Sequence, residues 1–234
     1  RPYSRNFRST AVQVLKAQAM FTLPTLNISH VYNEHTGKKE TIQSLLQGPD
    51  KHIWSKALSN EVGRLAHGNV HGVQYTDTIE FITIEELPSD CTTTYASFIC
   101  DVRPLKSETH RVRLVVGGDK LPYADDSSSP AASLLETKLL INSVISDHKK
   151  NNAKFCTADL KDFFLATPME KPEYMKIKFD ILPEDIKIMY DLYNKVTPDG
   201  YIYVKIIKGM YGLKQAAVLA YTHLVEQLKP HGYE

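Results

Sequence analysis

An α+β or α/β fold is what this sequence predicts, on three observations. Helix-like and strand-like segments alternate along the chain. A hydrophobic content of 42% over 234 residues is enough to bury a real core. No internal repeat or low-complexity tract points to a solenoid or a disordered chain.

The elements follow in order. Residues 1–49 read as a lead-in, with a basic start at Arg1, Arg5 and Arg8, a helix over Ser9 to Phe21, and a turn at Glu34 to Gly37. From Asp50, a good N-cap, Trp54, Leu58, Val62 and Leu65 recur at helical spacing as far as Gly68, which predicts an amphipathic helix. Strand-like runs then cover Ile79 to Thr83, Tyr95 to Val102 and His110 to Val116, the last two paired across Pro104 to Thr109. Ser129 and Pro130 supply an N-cap and a first-turn proline for a helix that fades at Asp147 to Lys150. A short strand, Lys154 to Ala158, delivers Asp159. Further strands are expected near Tyr174 to Ile177 and over Tyr201 to Ile207, with a helix after Pro183 between them. A last helix, Leu213 to Leu228, carries Leu213, Ala217, Ala220 and Leu224 on one face.

Charge and cysteine usage narrow the functional classes. Lys and Arg number 28 against 27 Asp and Glu, so no global field advertises a nucleic-acid partner, and such binding must rest on local patches. Cys91, Cys100 and Cys156 stand far apart with no C-x-x-C pair, which fits a reducing, intracellular setting. No run of about 18 apolar residues predicts a membrane span. Arg1 at the start and Glu234 at the end read as cuts in a longer polypeptide.

Three stretches carry chemistry. In Phe155 to Leu165 an apolar strand ends in Asp159, followed at once by Asp162, Phe163 and Phe164, the shape of a metal-holding strand end. Nucleotidyl transfer uses carboxylates to hold two Mg²⁺ ions about 4 Å apart. On spacing alone the plainer reading stands first, in which Asp159 ends a strand and Asp162 caps a short helix. In Ile207 to Ala216, Gly209 and Gly212 bracket an aromatic before a helix, suited either to close approach of a ligand or to a tight turn with nothing bound. Arg111 and Arg113 fall on one face of a strand and could clamp a triphosphate or decorate a solvated edge.

Five blocks in order resemble copia-type (Pseudoviridae-like) retrotransposon reverse transcriptases. They are W-x-x-A-x-x-x-E-x-x-x-L (Trp54, Ala57, Glu61, Leu65), R-L-V (Arg113 to Val115), S-P (Ser129, Pro130), D-x-x-x-x-F-L (Asp159, Phe164, Leu165) and Y-G-L-K-Q-A (Tyr211 to Ala216). The resemblance runs from about Asp50 to the C-terminus. It implies an α+β right-hand polymerase, fingers and partial palm over residues 50–234, with a mainly antiparallel sheet packed with helices and truncated before the catalytic Y-x-D-D hairpin. It makes Asp159 the catalytic, metal-binding aspartate, with Mg²⁺ or Mn²⁺ as cofactor. Asp162 and Phe163 fall beside the incoming triphosphate. Phe164 becomes a steric gate against a ribose 2′-OH, and Tyr211 and Gly212 the nucleotide floor. Arg111 or Arg113 meets the triphosphate. The implied partners are an RNA or DNA template-primer, deoxynucleoside triphosphates and the remainder of the pol polyprotein (missing palm, ribonuclease H, integrase), without a membrane; the implied setting is a cytoplasmic virus-like particle and the nucleus. Two departures are Ala217, where the family has proline, and Gly117-Gly118-Asp119.

Tyr123-Ala-Asp125-Asp126 also spells Y-x-D-D, but it precedes Asp159 and its flanks read as loop, so it is expected to be a coincidence. With one of three ligands, the chain alone is expected to be inactive as a polymerase. If the strand ending in Asp159 lacks its partner hairpin, an exposed edge should favour aggregation. The competing expectation is a degenerate retroelement relic or a non-catalytic nucleic-acid-binding module.

Overall fold

A computed structural model describes residues 31–33, 37–129, 133–155 and 160–232. The helix expected over Ser9 to Phe21 therefore lies outside the described residues, as do Glu34 to Thr36, Pro130, Cys156 and Asp159.

The fold is α+β, built on a five-stranded sheet. In chain order the strands are β1 (Ile79–Ile82), β2 (Thr93–Val102), β3 (His110–Val116), β4 (Pro168–Lys178) and β5 (Tyr201–Lys208). They lie in the spatial order β1-β5-β4-β2-β3. The helices are α1 (Ile42–Gln47), α2 (Lys51–Leu65), α3 (Leu134–Asn151), α4 (Glu184–Met189) and α5 (Ala216–Leu228).

The β2–β3 hairpin forms as its alternation predicts, with Ala96 opposite Val116 and Val102 opposite His110. Its inward residues Val112, Leu114 and Val116 are buried. The sheet is mixed, because β2 and β4 run parallel over Thr93–Tyr95 and Tyr174–Lys176 while the other three pairings are antiparallel. A pairing between strands so far apart in sequence leaves no local trace. Strand β4 is longer than expected and shifts register between Pro168 and Glu173, where Pro172 lacks an amide to give to the ladder.

Helix α2 lays Trp54, Leu58, Val62 and Leu65 into the main core, which also takes Met175, Ile177, Ile202, Val204 and Ile206 from the sheet. Asp50 stands at its N-cap position without a side-chain cap bond. Residues 42–47, read from sequence as lead-in, form α1, capped by a reciprocal Thr41–Ser44 pair, and Ile42 enters the same core.

Helix α3 starts later than expected. Ser133, not Ser129, is the N-cap, and Glu136 closes a capping box with it. The helix ends at Asn152 in the left-handed conformation. The two described residues of the expected strand, Lys154 and Phe155, are not in a strand. Helix α5 begins three residues after Leu213, since the Tyr211-Gly212 turn and the residues behind it are spent in changing direction. Cys91 and Cys100 are free thiols. Among the described residues no helix is long and apolar enough to cross a membrane.

Candidate functional site at the edge of β3

Three of the sequence blocks meet at one corner. The turn over residues 160–167, the turn between β5 and α5, and the end of β3 are stitched together by main-chain hydrogen bonds. Val116 N–H donates to the Tyr211 carbonyl at 2.8 Å, and Gly209 N–H donates to Thr167 O at 2.7 Å. Within the first turn, Thr167 donates its amide to Phe164 O at 3.0 Å and its hydroxyl to Phe163 O at 3.0 Å.

The backbones approach so closely that two glycines are required. Gly212 has φ +97°, and a Cβ there would stand 2.0 Å from Val116 O. A Cβ on Gly118 would stand 2.0 Å from Gly212 O. Gly118 belongs to the run in which this chain departs from the resembled family, and its role is to let the end of β3 lie against the turn.

On this frame sits a row of aromatic and cationic groups. The Phe164 ring meets Tyr211 edge-on, with centroids 5.9 Å apart at 82°, and the Phe163 ring lies 5.9 Å from Phe164, tilted by 38°. The Arg113 guanidinium carbon is 5.7 Å from the Tyr211 ring centre, within cation–π range. A planar cation beside a cluster of aromatic rings can bind an anionic group that carries a flat or apolar body.

The two candidate arginines are not equivalent. Arg111 faces Asp101 across the hairpin and donates two bonds to it, Nε at 3.1 Å and Nη2 at 2.6 Å. That fork is already engaged. Arg113, opposite Ile99, turns to Tyr211 instead.

Asp162 lies in the same turn as Phe163 and Phe164, in the left-handed conformation at φ 54°, and its carbonyl accepts the Ala166 amide at 2.9 Å. It is thus a turn residue, not the cap of a short helix. Asp159 lies outside the described residues. Among the described residues no group of three or more His, Cys, Asp or Glu side chains could hold a metal, so the acids seen here do not by themselves make a Mg²⁺ or Mn²⁺ site. Asp125 and Asp126 lie in a loop, as their flanks predict, and Asp126 accepts the Ser128 amide and hydroxyl at 2.8 Å each. Those bonds hold its carboxyl below the usual range.

Glu61 is the residue that motif reading undervalued. Its carboxylate is buried, accepts the Leu114 amide at 3.1 Å and pairs with Arg64 at 2.9 Å. Burial pushes the carboxyl up to about 7, against the opposing pull of Arg64, the Leu114 amide and Arg113. A signal for it exists in the sequence: positions 54, 58, 61 and 65 share one helix face, and only 61 is charged.

No family model, no curated protein and no solved structure matches this chain.

Proposed function

We propose that this chain is the fingers and first half of the palm of a copia-type reverse transcriptase, an RNA-directed DNA polymerase, and that the corner at the edge of β3 is where a deoxynucleoside triphosphate is held. One observation carries the reading. Blocks lying between 47 and 98 residues apart in sequence, R-L-V, F-L and Y-G-L-K-Q-A, bring Arg113, Phe164 and Tyr211 side by side. Nothing in the α+β class alone demands that meeting.

Each group has a role that its chemistry suits. Arg113 offers planar donors to phosphate oxygens, while the Asp101 pairing keeps Arg111 on the hairpin. Phe164 is held by Tyr211 and by the core beneath it, so its ring has little freedom to move aside. A rigid ring next to C2′ rejects a hydroxyl by shape. Tyr211 and the bare backbone of Gly212 form the floor, where a nucleotide can lie close to the chain. Asp159, five residues before Phe164 in sequence, is the position that the resemblance assigns to the metal-binding aspartate.

Binding of deoxyadenosine and adenosine triphosphates by calorimetry tests this. The chain should prefer the deoxynucleotide, and Phe164→Ala should shrink the preference to within about threefold while leaving the deoxynucleotide affinity largely intact, since a gate acts by exclusion. Equal affinity of the unaltered chain for both nucleotides would sink the reading.

A further inference from the structure

Strand β3 is an edge of the sheet, and an edge strand turns part of its main chain away from any neighbouring strand. Amides along an antiparallel ladder alternate in direction, so Leu114 and Val116, two apart, both point outward from β2. Each finds one acceptor. Glu61 Oε1 takes the Leu114 amide at 3.1 Å, and the Tyr211 carbonyl takes the Val116 amide at 2.8 Å. Arg113 stands just before the first anchor, and its guanidinium lies over the ring of the residue that supplies the second.

We propose that Glu61 is a positioning residue for Arg113: by gripping the Leu114 amide from helix α2 it fixes the open edge of β3, so that the guanidinium lies over Tyr211 ready for a phosphate group. The inference rests on the reading of Arg113 as the group that meets the triphosphate. The grip is exclusive and built in. Glu61 is 3% exposed, so water does not compete for the amide. Its second oxygen is held by Arg64 at 2.9 Å, Arg64 reaches Glu108 at 3.6 Å, and Glu108 pairs with Arg103 at 3.0 Å. One chain of charges therefore ties α2 to the middle of β3 and to the loop that leads into it. An apolar residue at 61 would fill the space and leave the amide without a partner.

A link to protons follows. The charged groups facing Glu61 are Arg64 on its own helix, Arg113 on β3 and Glu108 on the hairpin loop. An anion bound to Arg113 cancels part of the positive field that keeps Glu61 ionised. Binding therefore draws a proton onto Glu61, and by reciprocity a protonated Glu61 favours binding.

The test titrates the full 234-residue chain with inorganic tripolyphosphate by calorimetry, in the unaltered form and as Arg113→Ala, Glu61→Ala and Glu61→Gln. Circular dichroism confirms that each is folded. Arg113→Ala and Glu61→Ala should each weaken binding about tenfold, and Glu61→Gln, which keeps an acceptor for the amide, should stay within about threefold. Between pH 8 and pH 6 the unaltered chain should gain more affinity than Glu61→Gln does, the ligand's own titration being common to both. If Glu61→Ala fails to fold, that difference in pH profile decides. Weak binding by Arg113→Ala with unaltered binding by folded Glu61→Ala overturns the positioning role alone, as do identical pH profiles for Glu61→Gln and the unaltered chain. Unaltered binding by Arg113→Ala overturns the nucleotide reading and the inference together.

Discussion

Helices α2 and α3 read alike in sequence and end in opposite circumstances. Both carry apolar residues at helical spacing over 15 and 18 residues. In α2 the stripe is used: Leu58, Val62 and Leu65 are fully buried beneath the sheet. In α3 the same kind of residue faces outward, Leu134 being 69% exposed and Ile145 67%. Periodicity states that a helix has an apolar side; what covers that side is a fact about distant parts of a protein. What visibly holds α3 among the described residues is local, a capping box at Ser133 and Glu136 and a left-handed Asn152 at its end.

The largest consequence concerns burial. Leu58→Ala should cost about 2–5 kcal/mol, because it removes a fully enclosed side chain and leaves a cavity. Leu139→Ala, on the exposed side of α3, should change stability by less than about 0.5 kcal/mol. Urea unfolding of both variants measures the gap. A cost at Leu139 matching that at Leu58 would mean that α3 is covered in solution and that the contrast between the helices does not hold.

What could be read from sequence divides along the same line. The bounds of β3 were legible because alternation over seven residues is a local property, and the predicted span His110 to Val116 is the one found. The start of α3 was legible in principle but missed: the expectation at Ser129-Pro130 passed over Ser133, whose Glu136 three residues on marks the capping box that is found. The parallel pairing of β2 with β4 was not, since it joins residues about 80 apart through no shared pattern. At the candidate site, the Tyr211-Gly212 turn was legible from its glycine, but that Arg111 is bonded to Asp101 while Arg113 turns to Tyr211 was not, since Asp101's claim on Arg111 depends on hairpin register. Glu61 was visible as a charge on an apolar face, and the amide it serves, 53 positions away, was not.

Glu61 also makes α2 the pH-sensitive partner of the pair. Its carboxyl titrates near 7 in the folded chain, against about 4.5 when unfolded. The folded state therefore holds a proton that the unfolded state has released throughout that interval. Its contribution is fully present below pH 4.5, falls as pH rises towards 7 and levels off above, a loss of about 3 kcal/mol over the window. Urea midpoints between pH 4.5 and 8 should decline for the unaltered chain and run flatter for Glu61→Gln. No corresponding burial is found for the acid in the first turn of α3, Glu136, which its capping bonds hold below the usual range. Parallel pH profiles for the two chains would show that Glu61 is ionised without penalty, and that Arg64 compensates its burial in full.

A smaller loss lies at the N-terminus of α3 and bears most directly on the contrast. Ser133→Ala removes the oxygen that accepts the Glu136 amide at 3.2 Å, a loss of about 1 kcal/mol of helix stability. In a helix sealed into the core, such a loss is spread over the whole cooperative unit and appears as a shift in global unfolding. A helix with its apolar side exposed has little coupling to that unit, and at 18 residues it is near the length at which an isolated helix is marginal. The change should therefore appear as faster amide exchange across the first turns of α3 and a small drop in helical circular dichroism, with the urea midpoint unmoved. Thr41→Ala at the equivalent capping box of α1, whose Ile42 is buried in the core, should instead shift the midpoint. If both variants shift the midpoint by the same amount, α3 unfolds together with the sheet, and the coupling that α2 gains through burial reaches α3 by contacts its exposed side chains do not account for.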